Sequence, residues 1–373
     1  MERIDLNNNW ENTAAVIGGA GDMGQLTVDF FRGIGFEPII SDPKEPGSIS
    51  LKEAIQRARI IFFSVPVEEI GKIVAETKND FRANHIVIDN ASSKRLVKEA
   101  FGLLDEKGVS ICSTHPLCKH DQPLHGQKVL IMEVGQNPTR AREFAERLHQ
   151  SAGMITVPCS FENHDLLMII PQLLPHVIMR AVFEELAKRG TDMQAVMDIG
   201  TANFQLFNLS LWRTNVQSPK ISASIIANSS REDEGPALIN GVRDVIDRIM
   251  RDREDEKALA QRFGEAVNLL DKNGLSARMN HTTTVILERL ANLKVSSLVV
   301  EVPEEANKPG LLRRILLPFE RHGINLTAIN DHLEKGRLRF EFGIDERNRD
   351  PARLAKAVKS LQKLGCTVLK GDD

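Results

Sequence analysis

Short apolar runs alternate with helix-length amphipathic stretches over the first part of the chain. Runs at Ala14–Gly18, Pro38–Ser41, Ile60–Val65, His85–Asp89, Val109–Ser113, Lys128–Glu133 and Ile155–Pro158 are apolar at successive positions, not only at alternate ones. That pattern predicts strands buried on both faces, as in a parallel sheet covered by helices on two sides. The intervening segments, such as Met23–Arg32 and Pro138–Gln150, predict right-handed crossovers. From about Phe161 the strand pattern stops. His164–Arg189, Met193–Leu211, Ile221–Ile226, Ala237–Asp271 and Leu275–Leu293 carry apolar residues three and four apart and predict helices. Pro171 and Pro175 predict a kink in the first of them. A third pattern begins near Val295. It runs from a strand through the turn Lys308-Pro309-Gly310 to a helix at Leu311–His322, closed by Gly323. Strands at Ile324–Ile329 and Arg337–Ile344 follow, joined by a turn at Gly336, then a helix at Pro351–Leu364 and a strand at Cys366–Leu369. This βαββαβ order predicts a ferredoxin-like α+β module. The expected domains are residues 1–160, 161–293 and 294–373.

Composition narrows the function classes. The chain has 373 residues, 42% hydrophobic and 27% charged, which suits two or three soluble globular domains of ~150 residues. A net charge of −3 provides no basic field for nucleic acid or an anionic membrane. Four cysteines, Cys112, Cys118, Cys159 and Cys366, have no metal-ligand spacing and do not read as a disulfide scaffold, so a reducing compartment is expected. The opening MERIDLNNNW has neither a basic nor an apolar leader region. The most apolar stretch, Leu166–Pro175, spans ten residues, against the ~20 that a membrane span needs. Together these predict a cytoplasmic enzyme of small molecules. The dense charge of Arg248–Lys257 reads as a solvated helix face.

Three loops carry chemistry. Gly19-Ala20-Gly21-Asp22-Met23-Gly24 is G-x-G-x-x-G, directly after a strand and opening a helix. In that context the glycines let backbone N–H groups approach a pyrophosphate at a helix N-terminus, the signature of a Rossmann-type domain. Asp42 ends the next strand, about 20 residues on, where a carboxylate accepts a ribose hydroxyl and repels a 2′-phosphate; this favours NAD over NADP. As a residue before Pro43, Asp42 is also a good turn former. Asp89-Asn90-Ala91-Ser92-Ser93-Lys94 and Thr114-His115-Pro116-Leu117 follow two further strands, at the sheet end where ligands bind. A neutral His115 could accept a proton there and Ser92 could orient it; a hydrogen-bonded structural histidine is the alternative. His115, His120 and His125 recur every fifth residue, but no acidic or thiolate partner stands at a ligand spacing, so no metal is expected.

The ordered set VIGGAGDMG, FFSVPVEEI, DNASSK, THPL, His164-Asp165, Gln172, His176 and Arg213 resembles the prephenate dehydrogenase family, the dehydrogenases of tyrosine biosynthesis. It is most similar to the T-protein-like branch, without that branch's chorismate mutase domain. The resemblance implies NAD-dependent oxidative decarboxylation of prephenate to 4-hydroxyphenylpyruvate. The helical segment has too many apolar positions for a unit of ~130 residues to bury alone, which predicts that it builds a homodimer. The resemblance also implies that His115 accepts the hydrogen bond of the ring hydroxyl, that Ser92 supports this histidine, that Lys94 acts in the same loop toward substrate, and that Arg213 holds the ring carboxylate. It further implies that Gln172 and His176 line the cleft and that Val65 and Pro66 join the glycine loop in holding cofactor. Read without the family, His164-Asp165 is a helix-start pair, His176 a core histidine and Arg213 a helix-terminal charge. The chain departs from its relatives at Leu173, where many have the first histidine of S-H-L-P-H, and in the basic loop LCKHDQPLHGQ. The C-terminal module resembles an ACT domain, through KPGLL and RHGINLTAINDHLEKGRLRFEFGID; this implies an amino-acid effector or, alternatively, a dimerisation role. Rival readings are the same reaction on arogenate or an amino analogue, a β-hydroxyacid dehydrogenase, and a non-catalytic NAD or amino-acid sensor.

Overall fold

The computed structural model describes residues 13–120, 122, 124–216, 219–229, 234–271, 275–293, 297–303, 306–334, 337–344 and 350–370. The N-terminal segment read for a leader and the turn at Gly336 lie outside the described residues. The chain forms two compact units, residues 1–185 with 214–245, and residues 186–213 with 246–373.

In the first unit, strands β1 (Ala14–Ile17), β2 (Ile39–Ser41), β3 (Ile60–Phe63), β4 (Ile86–Asp89), β5 (Ser110–Pro116), β6 (Lys128–Val134) and β7 (Ile155–Pro158) form one sheet. Its order is β2-β1-β3-β4-β5-β6-β7. The run-on apolar character of the strands has a direct cause. Alternate residues feed two different cores, one with Ala15, Ile17, Ile61, Phe63, Val87 and Ile111, the other with Ala14, Val16, Ile60, Phe62, Ile86 and Cys112. Side chains of a strand point to opposite faces in turn, so both faces are covered only if every position is apolar.

The sheet is parallel except at one place. β6 runs antiparallel to β5, with His115 opposite Leu130, and β7 is parallel to β6. Residues 117–127 between β5 and β6 contain no helix among the described residues. A parallel return needs a crossover of a dozen or more residues, usually helical, and so the chain turns straight back.

The helical run His164–Lys188 consists of α-helix at His164–Met168, a π turn at Ile169–Leu173 and α-helix at Leu174–Lys188. Pro171, which cannot donate an N–H, sits in the π turn, so the expected kink takes this form. The run is long and apolar enough to cross a membrane by length and composition alone, well beyond the ten residues counted from sequence. Its first turns are nevertheless held by the domain core, with His164, Met168, Ile169 and Leu173 buried. Two helices expected as single pieces are divided. Met193–Ile199 and Ala202–Val216 are separated at Gly200. Glu234–Arg251 and Glu256–Leu270 are separated by a turn whose Asp255 caps the second helix through the Ala258 N–H.

Within the second unit, β8 (Ser297–Pro303), the helix Leu311–Arg321, β9 (Leu326–Glu334), β10 (Arg337–Ile344), the helix Pro351–Lys363 and β11 (Thr367–Lys370) form the ferredoxin-like module. The sheet order is β11-β8-β10-β9, antiparallel throughout. Its core, including Val300, Ile315, Phe319, Phe342 and Leu361, closes within the module.

Candidate active site

The cofactor end of the first unit is set by topology. The chain leaves β1 toward β2 on one side and toward β3 on the other, which opens a crevice beyond the carboxyl ends of β1 and β3. Two glycines make the loop there obligatory. Gly18 has φ +85°, and a Cβ on it would lie 2.6 Å from both the Ser64 carbonyl oxygen and Val65 Cγ1. A Cβ on Gly24 would lie 2.1 Å from the Gly18 carbonyl oxygen. Backbone therefore packs on backbone, and the helix Asp22–Gly33 starts with its first N–H groups facing the crevice side of the loop. Gly18 precedes the fingerprint and was not singled out from sequence; the doubled glycine in VIGGAG was the available signal.

Gly19, Gly21, Asp22, Met23 and Gly24 are thus gathered at the end of β1, and Val65 and Pro66 at the end of β3. Asp42 is buried, and its carboxylate accepts the Ala20 N–H at 3.1 Å and the Lys44 N–H at 2.9 Å. It ties the end of β2 to the glycine loop, and each oxygen keeps a second lone pair for a ribose hydroxyl. Loop, helix start and carboxylate together fit a dinucleotide.

The second half of the site is a buried relay. His115 Nδ1 lies 2.9 Å from His164 Nε2, and His164 Nδ1 lies 2.7 Å from Asp165 Oδ1. Asp165 also accepts the N–H groups of Lys94 and Arg95 at 2.8 and 2.9 Å and the Ser93 hydroxyl at 3.0 Å. Burial alone would raise the Asp165 carboxyl. The hydrogen bonds from His164 and the two amides outweigh it and hold the group well below the usual carboxylate range. An ionised Asp165 accepts a hydrogen bond from His164 Nδ1–H. In the neutral ring His164 Nε2 is then an acceptor, His115 must donate Nδ1–H to it, and His115 Nε2 carries the lone pair. Burial, with the Lys94 ammonium and His164 nearby, pushes His115 well below the ordinary histidine value. Near neutral pH it is a proton acceptor with its tautomer fixed from behind.

Lys94 differs from the substrate-facing role expected of it. Its ammonium is buried and donates to Asp89 Oδ2 at 2.9 Å, the Ala91 carbonyl at 2.6 Å and the Thr114 carbonyl at 2.9 Å. All three donors are engaged, so Lys94 is a strut between the loops that follow β4 and β5. Ser92 is exposed, and the ring nitrogen bond of His115 goes to His164 instead of its hydroxyl. Gln172 is half-buried in the π turn. His176 lies one turn further along, its Nδ1 3.1 Å from Ser222 Oγ. Arg213 lies in the second unit, exposed in the last turn of Ala202–Val216. His164 and Asp165, which sequence alone left as a helix-start pair, turn out to be the supports of the central histidine. Among the described residues no group of three or more His, Cys, Asp or Glu could hold a metal ion.

Residues 47–130 match the nucleotide-binding domain of prephenate dehydrogenase. A probable arogenate/prephenate dehydrogenase of Methanocaldococcus jannaschii is 21% identical over 275 residues, which cover 68% of this chain and 61% of that protein. The match thus spans somewhat less than two thirds of that relative's length. Among solved structures, the prephenate dehydrogenase of A. aeolicus in complex with hydroxyphenyl propionate and NAD+ matches with a TM-score of 0.53 at 18% identity, over 68% of this chain and 95% of that one. The arogenate dehydrogenase of Synechocystis matches with a TM-score of 0.52 at 16% identity, over 69% and 97%. Residues 47–130 are therefore similar to the nucleotide-binding domain of prephenate dehydrogenases, and the chain shares the fold of the solved prephenate and arogenate dehydrogenases.

Proposed function

We propose that the protein is an NAD-dependent oxidoreductase that oxidatively decarboxylates prephenate or its amino analogue arogenate. The observation that carries this reading is the Asp165–His164–His115 relay, which presents a lone pair at His115 Nε2 on the sheet end that also bears the glycine loop. Bound nicotinamide would supply the acceptor for the hydride leaving C4 of the ring. The residues of this chain supply the rest. As C4–O gains double-bond character, the hydroxyl proton moves toward His115 Nε2. The C1–carboxylate bond then breaks, its electron pair completes the aromatic ring, carbon dioxide leaves, and the proton returns to the phenol oxygen. His164 stabilises the positive charge on His115 because Asp165 stands behind it. Lys94 holds the loops that carry these groups in register, and the buried setting keeps water from competing for the proton.

The glycine loop, the start of Asp22–Gly33 and Asp42 would bind the dinucleotide, with Asp42 favouring NAD over NADP. The four cysteines are free thiols, in keeping with a reducing cytoplasm. Following NADH absorbance with prephenate, arogenate and simple hydroxyacids tests the reading. Turnover of one of the first two is expected. Reduction of NAD only by simple hydroxyacids, or by none, would refute it.

A further inference from the structure

Asn90 and Ser64 stand side by side just beyond β4 and β3. The strand pairing that sets Phe63 beside Asp89 runs on past both ends. There the Asn90 N–H donates to the Phe63 carbonyl at 3.3 Å, and the Ser64 N–H donates to the Ile17 carbonyl of β1 at 2.8 Å. Side chains alternate along a strand, so Ser64 and Asn90 share the face of Phe62 and Ile88, which packs with Val28 and Phe31 of the helix Asp22–Gly33. Asn90 Nδ2 donates to Ser64 Oγ at 2.8 Å and lies 3.5 Å from Thr27 Oγ1 on that helix. The Thr27 hydroxyl gives its own proton to the Met23 carbonyl at 2.8 Å. Toward Asn90 it can therefore only accept, which turns the amide nitrogen toward Ser64 and Thr27 and the amide oxygen away from them. Two groups are left over. Among the described residues Asn90 Oδ1 meets no donor, and the Ser64 hydroxyl proton meets no acceptor. Both side chains are half-buried on the floor of the crevice.

A free acceptor beside a free donor suits a ligand that offers both. A phosphate oxygen only accepts, and Asn90 Oδ1 would repel it. Neighbouring hydroxyls of a sugar each donate and accept. Place agrees with chemistry. The glycine loop stands beyond β1 and His115 stands on β5, and the sheet order between them is β1-β3-β4-β5. Neighbouring strands lie ~4.8 Å apart. A dinucleotide with its phosphates at the glycine loop and its ring at His115 thus crosses β3 and β4, and the sugar that joins phosphate to ring passes over Ser64 and Asn90. Resting on the dinucleotide reading above, we propose that Asn90 and Ser64 bind the ribose on the nicotinamide side of the cofactor. Asn90 Oδ1 accepts from one ribose hydroxyl, and the Ser64 hydroxyl donates to its neighbour. The bridge to Thr27 makes this seat continuous with the helix that holds the phosphates, so sugar and phosphates are held by one rigid piece.

The test is calorimetric titration of the full chain with ADP, ADP-ribose and NAD, in the unmodified protein and in Asn90→Ala and Ser64→Ala. ADP ends at its second phosphate, ADP-ribose adds the sugar in question without the ring, and NAD adds both. The unmodified chain should bind ADP-ribose more tightly than ADP. Each variant should bind ADP-ribose and NAD ~3–10-fold more weakly, the worth of one neutral hydrogen bond, with the affinity for ADP unchanged. Ser64→Ala removes a single oxygen from a half-buried position and carries the test should Asn90→Ala fail to fold. Equal loss for all three nucleotides would make the pair a mere support of the glycine loop, and loss confined to NAD would place its contact on the nicotinamide ring. Either result overturns the proposal, as does no loss at all. The outcome is separate from that of the reaction. A ribose-dependent loss in a chain that turns over neither prephenate nor arogenate upholds the seat while the reaction falls, whereas a chain that binds none of the three nucleotides refutes both.

Discussion

At the scale of single residues, the site depends on one unshared lone pair. His115→Asn keeps a polar side chain but removes the proton acceptor, and kcat should fall by ~10²–10⁴, the usual worth of a general base, with KM little moved. Asp165→Asn keeps one acceptor oxygen for the loop amides and puts a donor in place of the other. The preferred tautomers of His164 and His115 are then no longer enforced, and kcat should fall by ~10–10². Because burial depresses the His115 pKa, the deprotonated, active form persists below the ordinary histidine value of ~6.5. The acid limb of kcat should therefore lie well under pH 6.5 and disappear in His115→Asn. Initial rates against pH show this directly; a limb near 6.5 would mean that His115 is solvated in the working enzyme. Stability carries the same sign. His85 and His149 are lowered to about 4, chiefly by burial. Above pH ~6.5 these groups are neutral in both states. Between ~6.5 and about 4 only the unfolded chain takes up their protons, so stability falls continuously as pH drops through that window. Urea midpoints measured from pH 7 to pH 4 should decline, and less steeply in His149→Gln.

At the scale of elements, the phosphate loop tolerates no side chain where backbone meets backbone. Gly24→Ala must push the start of Asp22–Gly33 away from the end of β1, since the new Cβ would stand 2.1 Å from the Gly18 carbonyl oxygen. NAD affinity should drop at least tenfold while the sheet stays intact, read as NADH fluorescence titration beside an unchanged circular dichroism spectrum. Gly21→Ala, whose Cβ would meet only the Gly18 carbonyl oxygen at 3.6 Å, should be much milder. If both variants bind alike, the loop is not held by this contact. The π turn works at the same scale. It inserts one residue into the helical repeat, and so sets which face His176 and Arg180 present relative to His164.

At the scale of the whole molecule, the C-terminal module has its own closed core. Removing residues after Leu293 should leave a folded dehydrogenase with cooperative unfolding. If the module is the seat of amino-acid control, inhibition by tyrosine should vanish in the truncated protein; unchanged inhibition would place the inhibitor at the active site. The helices outside the module leave large apolar side chains exposed, among them Ile199, Leu269 and Leu270 at 85%, 74% and 76%. Unpartnered apolar surface on that scale is characteristic of obligate interfaces, and light scattering at micromolar concentration should report a dimer. A monomer of 41.6 kDa would contradict it.

Much of this protein is legible in the chain because it rests on local rules. Strands buried on both faces must be apolar throughout, a G-x-G-x-x-G after a strand has one common use, and βαββαβ spacing admits few sheet orders. The strand ends that carry His115 and the loop of Ser92 followed from those rules without coordinates. What the chain alone left open depends on residues that are far apart in sequence. His164 reaches His115 across 49 positions and Asp165 reaches Ser93 across 72. No period or motif encodes such a pairing, because each partner satisfies its own local pattern equally well alone. The same holds for Lys94, expected from the resemblance to act toward substrate until three internal acceptors close around it, and for Arg180, one more charge on an amphipathic helix until Ser222 joins it to His176. The antiparallel turn-back of β6 departs from the parallel sheet expected throughout, since a strand's own residues do not say which way its neighbour runs. Local preference determined the elements and the sheet end where chemistry belongs. Which polar groups are desolvated together, and hence which histidine holds the lone pair, was decided by tertiary packing, where burial makes every unpaired donor costly.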